Sequence, residues 1–176
     1  MHVNNEIGCI NPLTEIGKVC KEHNIPFHSD TVQSVGKIPV DVDELGVDFL
    51  SISGHKIYGP KGIGVMYMRH ATPWVPWMHG GSQERRRRGG TLNVPGIIGL
   101  AKAMELATKE MDDHRKHFLK LRKKLISGLH EKFGNCFQIN GDIENGVPHI
   151  LNISFMDSSG KGIDGEMLIL NLDVEN

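Results

Sequence analysis

The chain has 176 residues, long enough for a domain with a real hydrophobic core. Its 20 Lys+Arg against 21 Asp+Glu leave a formal net charge of −1, a balance that speaks against coating nucleic acid or another polyanion. No run approaches the roughly 20 apolar residues of a membrane span, and Cys9, Cys20 and Cys136 form no CxxC pair, so the chain reads as soluble and cytoplasmic with reduced thiols.

Short apolar runs alternate with helical patterns along the chain, which predicts an α/β layer architecture. "HV" at residues 2 and 3 reads as the tail of a strand, and neither basic residues nor a long apolar run marks a signal peptide there. Pro12 opens a helix with Leu13, Ile16, Val19 and Cys20 at helical spacing on one face. "IPFHSD" (25–30), "VDFLSIS" (47–53) and "IGVMYM" (63–68) read as strands. The link between the last two is too short for a helical crossover, so they are expected to pair antiparallel. From Pro95 to Phe133, Ile97, Leu100, Met104, Ala107, Met111, Phe118, Leu121, Leu125 and Leu129 recur every three or four residues. One long helix with a packing face is expected there, ended by Gly134-Asn135. A strand near "HILNISF" (149–155) and a helix from Gly165 onward then look like the opening of a second, smaller unit. The chain begins on a strand tail and stops inside a helical pattern, which reads as part of a longer protein.

The chemistry centres on "SISGHKIYGPKGIG" (51–64), where a strand runs into Lys56 among small and polar residues. An ordinary lysine, with a pKa of about 10.4, is protonated at neutral pH and a poor nucleophile. Burial beside apolar walls disfavours the ammonium and can free the amine for a Schiff base. Pyridoxal phosphate uses such a lysine, together with a carboxylate at its pyridine nitrogen and donors for its phenolic oxygen and phosphate. Asp30 closes a strand, where open α/β sheets present functional groups, and Gln33 follows within one turn. Ser53 and His55 flank Lys56 and are both phosphate donors in type.

Each residue also has a plainer reading. A strand-ending Asp is commonly a turn former, and a lysine near glycines is commonly solvated. A phosphate-binding P-loop fails because Pro60 interrupts the glycine spacing and no Lys-Ser/Thr follows; a dinucleotide fingerprint fails because "GPKGIG" leads into a strand. "ERRRR" (84–88) reads as a solvated or ion-paired loop, and "HRKH" (114–117), lacking a third ligand, as an exposed helix face without metal.

"HVNNEIG", "HSDTVQSVGK", "SGHKIYGPKGIG" and "GGSQERRRRGGTLNVPGI", in this order, closely resemble the cysteine desulfurases, class V aminotransferase-like enzymes that mobilise sulfur for iron–sulfur cluster assembly. The resemblance runs over practically the whole chain. It implies a fold type I pyridoxal-phosphate transferase: a partial large domain with a mostly parallel sheet at 1–94, a connecting helix at 95–134, and the start of the small C-terminal domain at 135–176. It implies that Lys56 holds pyridoxal 5'-phosphate as a Schiff base and carries protons. Asp30 is implied at the pyridine nitrogen, Gln33 and Asn5 near the phenolic oxygen, and Ser53 and His55 at the phosphate. Thr91 is implied at the phosphate of a neighbouring subunit in a homodimer. L-cysteine would be the substrate, with its sulfur passed as a persulfide to an acceptor or scaffold protein. No nucleic-acid or membrane partner is implied.

The sequence also departs from the family. The Ser-Ser-Gly-Ser-Ala-Cys-type loop that carries the sulfur-accepting thiolate is absent, and none of the three cysteines matches it. The ring-stacking histidine and the first phosphate-binding loop are missing too. Ser82 stands where a third glycine is usual, and residues 157–161 form a small insertion. The chain alone is therefore expected not to complete a desulfurase cycle. A selenocysteine lyase or other class V enzyme, and a non-catalytic fragment, are the alternatives.

Overall fold

The computed structural model describes residues 1–174, which divide into two compact units. The first comprises Met1–His2 and Asn11–Met111, the second Val3–Ile10 and the chain from Asp112 onward.

The first unit begins with α1 (Leu13–Glu22), entered through Pro12. β1 (His28–Asp30) pairs in parallel with β2 (Phe49–Ser53), His28 facing Phe49, Ser29 facing Leu50 and Asp30 facing Ser51. A 3-10 turn, Gly54–Ile57, follows β2. β3 (Gly64–Met68) then returns antiparallel along β2, from Ser53 opposite Gly64 to Phe49 opposite Met68, as the short link requires. A short helix, α2 (Gln83–Arg86), carries left-handed backbone at Glu84 and Arg85 and leaves the arginines exposed. α3 (Val94–Lys109) starts where Asn93 Oδ1 accepts the Gly96 N–H at 3.1 Å, with proline in the first turn.

Two apolar clusters hold this unit. Leu13, Leu45, Val47 and Leu50 pack with Phe27, Val40, Val42 and Tyr67 on one side of the sheet. Ile57, Leu100, Ala103 and Ala107 pack with Ile63 and Met104 behind the 3-10 turn. Period-2 alternation explains the division of labour in β2: Leu50 goes to the core, while Ser51 and Ser53 point the other way.

The buried face of α1 differs from the expected stripe. Leu13 and Gly17 are buried, whereas Ile16 and Val19 remain 39% and 54% exposed. The reason is steric. A Cβ on Gly17 would collide with the Leu45 carbonyl, so the bare backbone of the helix is itself the contact surface. The strand tail expected at residues 2 and 3 is reduced to single contacts: Val3 bridges Ile10, and the His2 N–H donates to the Asp30 carbonyl at 2.8 Å.

The long helical stretch is two helices. α3 closes at Glu110, and α4 (Met111–Phe133) begins directly after it. That break resets the helical phase, so the expected continuous stripe does not survive. α3 buries Gly96, Leu100, Ala103 and Ala107 and leaves Ile97 39% exposed, whereas α4 buries no residue fully.

In the second unit, β4 (Phe137–Asn140) pairs antiparallel with β5 (Asn152–Phe155), and Phe133 meets Phe155 edge-on at 5.7 Å. The strand β4 was not anticipated, because it spans only four residues and only three separate it from the end of α4. Residues 3–10 form a tight hairpin whose Gly8 carbonyl accepts the Val147 N–H at 2.9 Å. α5 (Gly165–Val174) realises the expected last helix; residues 175 and 176 lie outside the described residues. Among the described residues, no helix is long and apolar enough to cross a membrane.

Candidate active site

The C-terminal ends of β1 and β2 converge on one edge of the first unit. Thr31, fully buried, ties the exit from β1 to the sheet: its N–H and hydroxyl both donate to the Ser51 carbonyl, at 3.0 and 2.9 Å. Asp30 Oδ1 accepts the Val32 N–H at 2.8 Å, a local turn that fixes the carboxylate. Among the described residues no donor reaches the second oxygen, Oδ2. Ser51, opposite Asp30 in the register, has its Oγ 2.7 Å from Nε2 of His28, two residues before Asp30 on the same face of the sheet.

Beyond Thr31 the chain makes a helix-like turn, in which Val35 N–H bonds to the Thr31 carbonyl and Ile38 N–H to that of Ser34, both at 3.0 Å. This spacing puts Gln33 and Lys37 on one side, and Lys37 Nζ donates to Gln33 Oε1 at 2.9 Å. Gly36 holds the turn against the rest of the unit. With φ at +72°, its bare Cα is pressed against the residue after Lys56 and against α3; a Cβ there would lie 2.8 Å from Ala107 Cβ and 3.1 Å from Ile57 Cγ2. Gly36→Ala is therefore expected to cost about 2 kcal/mol, from left-handed strain plus overpacking. A thermal melt tests this, and an unchanged midpoint would contradict it.

Lys56 sits in the 3-10 turn that follows β2. The turn is closed by Gly54 N–H to the Ile63 carbonyl at 3.0 Å and Gly59 N–H to the Gly54 carbonyl at 2.9 Å. Ile57, 4% exposed, anchors it to α3. Lys56 and His55 are exposed, and His55 Nδ1 lies 2.8 Å from Ser53 Oγ.

Burial, the route by which a lysine amine can be freed, acts on a different lysine. Lys37 is pushed down to about 8 by desolvation and then by the neighbouring charge of Lys56. Between pH 8 and the ordinary value of 10.5, the unfolded chain holds a proton that the folded chain lacks, so stability rises with pH across that window. Below it, the fold carries the whole cost of the buried ammonium. Lys37→Met should thus be more stable than the parent at pH 7, by about 1 kcal/mol once screening of a partly exposed group is allowed for. The gap should close toward pH 10 in paired melts; a gap independent of pH would contradict the cause.

Five of the expected residues, Asp30, Gln33, Ser53, His55 and Lys56, therefore belong to the strand ends and turns of the first unit. Thr91 is in the same unit, exposed in the loop before α3. Asn5 is exposed in the hairpin of the second unit. Sequence reasoning missed Thr31, Ser51 and Lys37. The signal for Lys37 was available, since it follows Gln33 by four residues. Cys9, Cys20 and Cys136 are all free; Cys9 Sγ accepts the Asp142 N–H at 3.2 Å, and Cys20 lies on α1.

The profile of the family described as Aminotransferase class-V matches residues 1–169. The chain is 49% identical over 175 residues to a protein named cysteine desulfurase IscS from Dictyoglomus turgidum, covering 99% of this chain and 43% of that one. It is 46% identical to a protein of the same name from Methanosarcina thermophila, covering 99% and 42%. Among solved structures, a NifS-like protein from Rickettsia africae superposes with a TM-score of 0.89 at 31% identity, over 98% of this chain and 46% of that one. Another described as a NifS-like protein gives 0.83 at 44% identity, over 88% and 42%. The chain thus spans less than half the length of these relatives.

Proposed function

Because the chain belongs to the aminotransferase class-V family, we propose that its first unit holds pyridoxal 5'-phosphate on Lys56 and serves a cysteine desulfurase. The overall reaction would convert L-cysteine to L-alanine and pass the sulfur on as a persulfide. One observation carries the reading: a strand-end carboxylate with a free oxygen, Asp30, stands on the strand beside the one that delivers Lys56.

The residues present fit that cofactor. Asp30 Oδ2 is available to a ring N–H, and the Gln33 carboxamide to a phenolic oxygen. The Ser53 hydroxyl and His55 imidazole, already within hydrogen-bond distance of each other, suit a phosphate. When bound, pyridoxal phosphate supplies an electron sink for the pair left at the amino acid's Cα. The chain's own groups do the rest. With the cofactor bound, Asp30 would keep the ring nitrogen protonated. The Lys56 amine would take and return the Cα proton, and its tight turn limits how far that amine can wander. Thr91 would serve the phosphate of a second copy in a homodimer. The persulfide-forming thiolate is assigned to none of Cys9, Cys20 and Cys136. An acceptor or scaffold protein would take the sulfur, and three free thiols suit the reducing cytoplasm.

The test is chemical. The chain is incubated with pyridoxal phosphate, reduced with borohydride and digested, and the modified peptide is mapped. Label on Lys56 supports the reading. A folded chain that takes no label rules it out.

A further inference from the structure

Gln33 raises a problem that shape alone does not solve. The two ends of a carboxamide are nearly identical in size, yet only the NH2 end can donate to a phenolic oxygen. A Gln free to flip would present its carbonyl half the time and repel the oxygen it should bind. Lys37 removes that freedom. An ammonium has three donors and no acceptor, so the Gln33 atom 2.9 Å from Lys37 Nζ has to be the oxygen. The NH2 then points away from Lys37.

We propose that Lys37 is a positioning residue: its ammonium holds the Gln33 carboxamide in one orientation, with the NH2 presented as donor to the cofactor's phenolic oxygen. The inference rests on the cofactor reading above and deepens it. Two further features support it. The turn that carries both residues is pinned by Gly36 against Ile57 and Ala107, so the pair has a fixed seat next to the Lys56 turn. Lys37 is also held partly buried despite the cost to its charge. A lysine serving only solubility would extend into water.

The test follows the visible absorption of the bound cofactor against pH, which reports the protonation of the group that Gln33 would contact. Lys37→Met should raise the midpoint by about 0.3 unit, the factor of two between a carboxamide held in one orientation and one divided between two. Lys37→Arg, which keeps a donor-only cation, should bring it back toward the parent. Removing a nearby positive charge could raise the midpoint without any positioning, so the decisive comparison is a double-mutant cycle with Gln33→Leu. Orientation predicts that Lys37→Met adds nothing once Gln33 is gone. A full additional shift in the Gln33→Leu background, or no shift in Lys37→Met itself, overturns the proposal while leaving the cofactor reading intact. Failure of the folded parent to take borohydride label on Lys56 overturns the reading, and the proposal with it. Lys37→Gln serves as a second neutral variant if Lys37→Met does not fold, and circular dichroism checks each.

Discussion

Lys56→Ala is expected to fold like the parent and to take up no cofactor that borohydride can fix. The side chain is exposed, and it is Ile57, one residue on, that anchors the turn to α3. Truncation at Lys56 therefore removes chemistry without removing packing. Exchange of the Cα proton of alanine for deuterium, followed by NMR in heavy water with pyridoxal phosphate present, should fall by about 10²- to 10⁴-fold, the range of a lost general base. This partial reaction needs no sulfur-accepting thiolate, so it interrogates the first unit alone. The strongest competitor is built into the molecule. Lys37, with its amine lowered to about 8 by burial, is a second lysine able to act as a nucleophile. Label found on Lys37, or exchange persisting in Lys56→Ala within a few-fold of the parent, would transfer the role and sink the assignment of Lys56.

The second large effect is at Asp30. Asp30→Asn preserves the oxygen that accepts the Val32 N–H, so the turn out of β1 survives. What disappears is the negative charge that would keep a proton on the pyridine nitrogen. Label on Lys56 should persist, because attachment does not need that charge. Exchange at Cα should drop by about 10- to 100-fold, the worth of one charge-assisted hydrogen bond. Parent-like exchange would show that the carboxylate is only a turn former, the plainer reading of a strand-ending Asp.

Much of the fold could be read in advance where a single periodicity ruled. In β2, alternation separates Leu50 from Ser51 and Ser53, and the short link to β3 leaves only antiparallel return. Prediction failed where backbone or helix phase took over from side-chain hydropathy. The stripe on α1 was misread because Gly17, which has no side chain to score, makes the closest approach. The stripe from Ile97 to Leu129 was misread because its phase is reset at Glu110, and because α3 buries small residues that let it close on the Lys56 turn.

By itself, then, the order of residues determined which chemical groups stand at the strand ends: a carboxylate closing β1, and a hydroxyl, an imidazole and an amine around the turn that follows β2. These are local facts, set by strand period and turn composition. Only the tertiary structure decided which of two lysines loses its water. That choice belongs to Lys37, because desolvation depends on what lies opposite a residue in space. Gly36, Ile57 and Ala107 come together across 71 residues of chain from 36 to 107, and no local pattern records their meeting.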